Sequence, residues 1–307
     1  MIANPSLYFK HAFVTGATGI VGVPLCNKLS EWRVNVTAYS RSAGKFDMAP
    51  GAEHVQGDIL DVETIAKAAI GADVIFHVAA AVHGSASSYS EFEAMNVLGT
   101  ENMIRVARYV GAKLVHVSTV NVDGYREGLL TDAYAATKSR GEELVLEAVS
   151  SGDLDAVIVR PAAVFGNVPG RAGLIVDRLL SRSLKVLPAP SRMISGVWSG
   201  DLAVALIRAA DSGETGKVYT VAGPAMSTRE FVDSVCSAAN LPAPRISIPG
   251  WAVVVPLQLM WWNRKVTRWT PPVTVEAVRN GSVHEGSQAA SELGFSYTSI
   301  AKIFTGS

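Results

Sequence analysis

Two rhythms of apolar residues alternate through the first half of the chain. Short runs of consecutive apolar positions mark strands buried on both faces, and longer stretches with apolar residues every three to four positions mark amphipathic helices. The first rhythm predicts strands at Ala12–Val14, Val34–Tyr39, His54–Gln56, Asp73–Ala81, Lys113–Thr119 and Asp155–Val159. The second predicts helices at Ile20–Leu29, Val62–Ile70, Glu91–Val110 and Ala133–Val149. Residues 83–90 are small and polar and read as a loop, and Gly111 reads as a helix C-cap. This alternation implies an α/β chain with a parallel sheet covered by helices on both faces.

Beyond Arg160–Gly166 the rhythm loosens. Helices are expected at Leu174–Ser181, Asp201–Ala210 and Ser227–Ala239, the last opened by the capping-box pattern Ser227-Thr228-Arg229-Glu230. A strand is expected at Lys217–Val221. Leu184–Ile194 shows little periodicity, and the tail from Asn240 is rich in proline and tryptophan. The pattern divides the chain into a core domain, 1–166 with 197–223, and a smaller, mostly C-terminal substrate-binding lobe, 167–196 with 224–307.

Composition narrows the function classes. The 27 basic and 27 acidic side chains balance, so nothing steers the chain toward nucleic acid or an anionic membrane. Six scattered histidines and two distant cysteines, Cys26 and Cys236, offer no metal-ligand spacing and no disulfide framework. No signal peptide is visible at the N-terminus. The most apolar stretch, Trp251–Trp262, falls short of the ~20 residues that span a bilayer and is interrupted by Pro256 and Gln258. A cytoplasmic protein without a membrane span, acting on a small molecule, is expected.

Chemistry begins at Ala12–Gly22, AFVTGATGIVG. A strand, a glycine turn and a helix in succession aim backbone N–H groups and a positive helix end at a phosphate. Gly16 permits the sharp turn, Gly19 the approach of a pyrophosphate, and Gly22 close packing of the helix; Thr18 and Ile20, in the same turn, are expected to contact the cofactor with them. Ligands of open parallel sheets sit beyond the carboxyl ends of the strands, so the residues there are candidates. After the second strand, Ser40 and Arg41 stand where an acidic residue would hold an unphosphorylated ribose, which favours NADP(H) over NAD(H). Asp58 and Ile59 end the third strand where an adenine would lie, with Asp61 the better helix cap. Ala79, Ala80 and Ala81 end the fourth with small side chains that let a flat cofactor pass.

The fifth strand ends in Ser118-Thr119, and Tyr134 and Lys138 follow, four apart on one helix face. A free tyrosine has a pKa of about 10. A lysine ammonium one turn away, together with an oxidised nicotinamide, is expected to favour the phenolate. Thr119 is placed to hold a substrate oxygen beside the phenol. The arrangement suits hydride transfer, with Tyr134 moving the proton.

Together these residues resemble the extended short-chain dehydrogenase/reductase superfamily, also called the NAD(P)-dependent epimerase/dehydratase family. The likeness is carried by TGATGIVG, Gly57-Asp58-Ile59, HVAAAV, MNVLGT, HVSTVNVDG, YAATK, RPAAVFG and VWSGDLAVAL. The resemblance implies a Rossmann-type doubly wound parallel sheet and a Thr119–Tyr134–Lys138 triad, Thr119 rather than Ser118 because of its distance from Gly124. It further implies that Lys138 holds the nicotinamide ribose, that Pro161 and Ala162 border the nicotinamide, that Asn96 is structural, and that the chain forms a homodimer. Pro271-Pro272-Val273-Thr274 and AASELGF (Ala289–Phe295) look closer to the dihydroflavonol-reductase and 3β-hydroxysteroid-dehydrogenase branch. Sugar-nucleotide enzymes of the family carry an arginine a few residues before the V-x-x-D-L element; here the nearest, Arg192, lies two places too early. The expected activity is therefore an NADP(H)-dependent oxidoreductase of a hydrophobic alcohol or ketone. The alternative is an NAD-dependent nucleotide-sugar epimerase or dehydratase, with Arg192 or Arg171 as its basic contact. A non-catalytic dinucleotide sensor is disfavoured because Tyr134 and Lys138 are both present.

Overall fold

The computed structural model describes residues 7–42, 51–82, 85–86, 88–168, 172–252 and 283–305. Up to the sixth strand it runs β1 (His11–Thr15), α1 (Gly22–Glu31), β2 (Asn35–Ser40), β3 (Ala52–Gln56), α2 (Val62–Ala68) and β4 (Val74–His77). There follow α3 (Tyr89–Glu93), a π-helical turn (Ala94–Leu98), α4 (Gly99–Val110), β5 (Lys113–Val117), α5 (Asn121–Arg126), α6 (Ala133–Ser150) and β6 (Ala156–Pro161). Next come β7 (Ala163–Phe165), α7 (Leu174–Leu180), β8 (Val186–Pro188), β9 (Met193–Ile194) and β10 (Gly196–Trp198). The remainder is α8 (Ser199–Ser212), β11 (Val218–Val221), β12 (Met226–Ser227), α9 (Thr228–Ala238), β13 (Ile246–Ile248), α10 (Ser287–Leu293) and α11 (Ile300–Thr305).

Seven strands form one sheet in the order β11-β6-β5-β4-β1-β2-β3, and every pairing within it is parallel. The order reverses between β1 and β4, which is where a doubly wound sheet opens a crevice at its carboxyl edge. β4 and β5 are buried along their whole length, as strands at the centre of a sheet covered on both faces are. On one face Phe13, Tyr39, Ile65, Ile75, Met103, Leu114, Val145 and Ile158 form a single core under α2, α4 and α6. On the other, α1 and α8 lie against each other.

The described residues fall into two compact units. One takes the chain up to Pro161 together with Ser199–Val221 and Ser287–Ser296; the other takes Ala162–Trp198, the segment from Ala222 to Gly286, and the chain from Tyr297 onward. Ser287–Ser296 thus groups with the sheet rather than with the C-terminal lobe in which the sequence pattern put it. Ala289 and Leu293 of α10 are buried there, and Glu292 pairs with Lys217 at 2.7 Å. The second unit has its own core around Phe165, Leu187, Phe231, Val232 and Val235, with Phe165 and Phe231 packed edge to face. Its strands form three two-stranded ladders, β10-β7, β12-β9 and β13-β8. Strands of two or three residues are too short to show a period, which is why Leu184–Ile194 reads as irregular in the sequence.

Among the described residues no helix is long and apolar enough to cross a membrane. Nearly all of Trp251–Trp262 lies outside them, as do Arg171, Pro271-Pro272-Val273-Thr274 and residues 83, 84 and 87 of the loop expected at 83–90.

Candidate active site

The glycine turn after β1 is built as the sequence predicts. Gly16 takes a left-handed φ of 66°, and a Cβ there would stand 2.7 Å from the Ala79 backbone nitrogen, so the turn and the chain leaving β4 meet only across a glycine. A Cβ on Gly22 would overlap the Gly16 carbonyl and the Ala17 backbone, which lets α1 start against the turn. Gly19 differs: it is exposed, and the nearest atom its Cβ would meet is the Gly16 carbonyl oxygen at 3.3 Å. α1 starts with no side-chain cap and no acidic residue in its first turn. An open glycine before an uncapped, acid-free helix start fits a dinucleotide phosphate. Gly22→Ala is expected to cost about 1–3 kcal/mol from overpacking, read as a lower urea midpoint. An unchanged midpoint would show that the turn yields.

The other proposed cofactor contacts fall at the carboxyl ends of the strands. Ser40 ends β2, is buried, and its hydroxyl lies 3.0 Å from Nε2 of His54 on β3, while Arg41 is exposed beside it. The Asp58 carboxylate accepts from the Leu60 N–H at 3.0 Å, and its carbonyl accepts from the Tyr39 hydroxyl at 3.0 Å. Asp61 caps α2 through the Thr64 N–H. Ile59 packs into the core under α2 and α4, with its carbonyl held by Asn102. Pro161 is the last residue of β6, and Ala162, which follows it, is buried.

β4 was expected to run to Ala81 but stops at His77, because side chains take over its backbone. Val78 N–H and Ala79 N–H both donate to Thr15 Oγ1 at 3.2 Å, and Ala81 N–H donates to Asn96 Oδ1 at 2.8 Å. Asn96 returns its amide to the Ala81 carbonyl and to Thr137 Oγ1, tying this chain to α6. Asn96 sits in the π-helical turn that splits the single helix expected over Glu91–Val110. There the Thr100 hydroxyl donates to the Asn96 carbonyl at 2.7 Å.

Thr119, Tyr134 and Lys138 come together where β5 ends and α6 begins. Asp132 caps α6 by accepting from the Ala135 N–H, fixing the turn that carries Tyr134. Tyr134 is half-buried beside Phe92, and its hydroxyl is hydrogen-bonded to Thr119. Burial pushes the phenol up to about 12, against the Thr119 hydrogen bond, which acts downward. The Asp132 charge adds to the upward shift, and Lys138 is not among the groups acting on the phenol, so the depression expected from it does not appear in the chain by itself and Tyr134 is protonated at neutral pH. The Lys138 ammonium is committed to β5: it donates to the Val117 carbonyl at 2.7 Å and lies 3.4 Å from His116 Nε2. Burial lowers Lys138 to about 8, with Glu142 one turn further along α6 acting against it.

Several supporting residues escaped the sequence reading. Glu142, fully buried, receives Nε and Nη2 of Arg160 at 2.7 and 2.5 Å and Nη2 of Arg126 at 3.2 Å. His77 and His116, paired across β4 and β5, stand with ring centroids 5.4 Å apart behind Lys138. The signal for them was a histidine near the end of each of two consecutive strands.

The sequence profile of the NAD dependent epimerase/dehydratase family matches residues 12–222. The chain is 31% identical over 258 residues to a 2-alkyl-3-oxoalkanoate reductase of Stenotrophomonas maltophilia, covering 76% of each protein. It is 29% identical over 270 residues to a 3 beta-hydroxysteroid dehydrogenase/Delta 5-->4-isomerase of Mycobacterium tuberculosis, covering 78% of this chain and 72% of that one. Its fold superposes on the solved structure of gox2253 with a TM-score of 0.81 at 23% identity, covering 96% of each chain. With a seven-stranded doubly wound sheet, the glycine turn at its edge and this match over most of its length, the chain belongs to the NAD-dependent epimerase/dehydratase family, as an NAD(P)-dependent oxidoreductase.

Proposed function

We propose that this protein is an NADP(H)-dependent oxidoreductase that exchanges a hydride between nicotinamide and a hydrophobic alcohol or ketone, with Tyr134 as general acid and base. The observation that carries the reading is the phenol of Tyr134, bonded to Thr119, held protonated by burial, and placed one helical turn from Lys138. In the reducing direction the substrate carbonyl oxygen takes hydrogen bonds from Thr119 and Tyr134, and Tyr134 gives up its proton as that oxygen gains charge. The Lys138 ammonium then stabilises the phenolate left behind. The glycine turn, Asp58 and, at the ribose, Lys138 would hold a dinucleotide, which would supply the hydride when bound. The relatives' names, an oxoalkanoate reductase and a hydroxysteroid dehydrogenase, support a carbonyl or alcohol on an apolar carbon frame.

Preference for NADP(H) rests on Ser40 and Arg41. A charged hydrogen bond contributes about 1.5–3 kcal/mol, so Arg41→Ala is expected to weaken NADPH binding about 10- to 100-fold and leave NADH unchanged. Fluorescence titration with both nucleotides checks this; equal losses would assign Arg41 elsewhere. The two cysteines are free and buried, which suits a reducing cytoplasm. A homodimer belongs to the same proposal, and sedimentation at monomer mass would remove it.

One observation favours the nucleotide-sugar alternative: Nε of Arg192 is buried without a hydrogen-bond partner among the described residues, a group a diphosphate would satisfy. The deciding experiment is to purify the protein without added nucleotide, denature it, and identify any released dinucleotide by mass spectrometry. An empty protein that then oxidises NADPH with an apolar ketone bears the proposal out. Stoichiometric NAD+ retained through purification replaces it with the epimerase or dehydratase reading.

A further inference from the structure

We propose that His116 is a positioning residue for Lys138, holding the ammonium by accepting one of its hydrogens at Nε2. The proposal rests on the reading of Tyr134 and Lys138 as the proton-handling pair, and it concerns a residue one strand behind them. His116 is fully buried in β5, and its Nε2 faces α6. The approach of that helix is close: a Cβ on Gly141 would stand 3.0 Å from the Asn96 carbonyl oxygen and 3.6 Å from Nε2.

The hydrogen-bond pattern fixes the direction of the contact. An ammonium only donates, so Nε2 accepts and the imidazole hydrogen sits on Nδ1. Nδ1 is buried and has no hydrogen-bond partner among the described residues. An orphaned donor of this kind costs about 1–3 kcal/mol, and the tautomer that carries it is the one Lys138 requires. The neighbouring imidazole is fixed independently. The single hydroxyl hydrogen of Thr100 goes to the Asn96 carbonyl, so Thr100 accepts from His77 Nε2 at 3.2 Å. His77 Nδ1 then accepts from Thr15 Oγ1 at 3.0 Å. His77 is therefore neutral and satisfied on both nitrogens, and it offers His116 no hydrogen.

The charged and titratable groups facing Lys138 are Glu142 and Tyr134 on its own helix, with Arg160 and Arg126 on the far side of Glu142, and His116 and His77 from the sheet. Burial and the Lys138 charge keep both imidazoles uncharged, His77 down at about 3. Glu142 favours the ammonium and burial opposes it; the proposed acceptor at His116 Nε2 adds to the effect of Glu142. With Val117 and His116 each taking one hydrogen, the third remains for groups outside the strand.

The test uses the protein without nucleotide, so that it does not depend on turnover. In the unaltered protein, nitrogen-15 correlation spectra of His116 are expected to show the hydrogen on Nδ1; hydrogen on Nε2 overturns the proposal. Carbon-13 titration of the lysine Cε signals, with Lys138 identified by its loss in Lys138→Met, gives a second reading. His116→Leu is expected to lower the Lys138 midpoint by about one pH unit, and His116→Gln, whose amide oxygen accepts, to restore most of it. A merely structural histidine would destabilise His116→Leu and leave all three midpoints equal, which is the overturning result. Where NADPH-dependent reduction is found, the alkaline limb of kcat should shift in the same order. Should no carbonyl be reduced by the unaltered protein, the functional proposal fails while the two spectroscopic readings still decide this one.

Discussion

Tyr134→Phe should lower the hydride-transfer rate by about 10²- to 10⁴-fold while NADPH binds as before. Phenylalanine keeps the ring that packs beside Phe92 and the helix that starts at the Asp132 cap, so only the oxygen is lost. That oxygen is the proton donor of the proposed mechanism, poised at about 12 and linked to the Thr119 hydroxyl. A group held so firmly protonated gives its proton only when the substrate oxygen becomes strongly basic, which couples proton transfer to hydride arrival. Thr119→Val should then cost less than Tyr134→Phe, because it removes a donor to the substrate oxygen and leaves the acid in place. Single-turnover reduction monitored by NADPH absorbance separates chemistry from product release. A Tyr134→Phe protein that still reduces its ketone at the original rate would sink the mechanism and leave Tyr134 a packing residue.

The parts of this site legible in the sequence are those encoded by local pattern. Gly16, Gly19 and Gly22 announce their turn by spacing, and Tyr134 and Lys138 share a helix face whatever the rest of the chain does. The apolar run of Asp73–Ala81 places β4 at the sheet centre, and the structure buries it there. What stayed hidden depends on contacts between segments distant in the chain. His77 and His116 become neighbours only through the β4–β5 register. Asn96 reaches Ala81 only because a π-helical turn interrupts an otherwise regular apolar period. α5 (Asn121–Arg126) is missed because NVDGYR carries no apolar repeat and contains a glycine, yet it brings Asp123 to Arg160. The upward shift of Tyr134 belongs to the same class, since burial is a property of the packed chain.

The largest stability effect should come from the ion pair beneath α6. Glu142→Leu is expected to destabilise the protein by about 3–5 kcal/mol, because it leaves the buried Arg160 guanidinium without the carboxylate that takes both its Nε and Nη2. Arg126 loses the same partner, and Asp123, half-exposed on α5, retains only one Arg160 nitrogen. Arg160→Met should cost a similar amount by stranding Glu142, although Arg126 still faces that carboxylate. Two charges removed together cost less than either error alone, so Glu142→Leu/Arg160→Met should be markedly more stable than the sum of the single losses predicts. Urea midpoints of the three variants close this cycle. Additive losses would mean the pair does not act as a unit. The pair also bears on the chemistry, because Glu142 holds Lys138 up against burial. In Glu142→Gln, which keeps the shape and a hydrogen-bond acceptor for Arg160, the Lys138 midpoint should fall below about 8 with a smaller loss of stability than in Glu142→Leu. That separates two consequences of one buried carboxylate: it anchors α6 to β6 through Arg160, and it keeps the lysine beside Tyr134 charged.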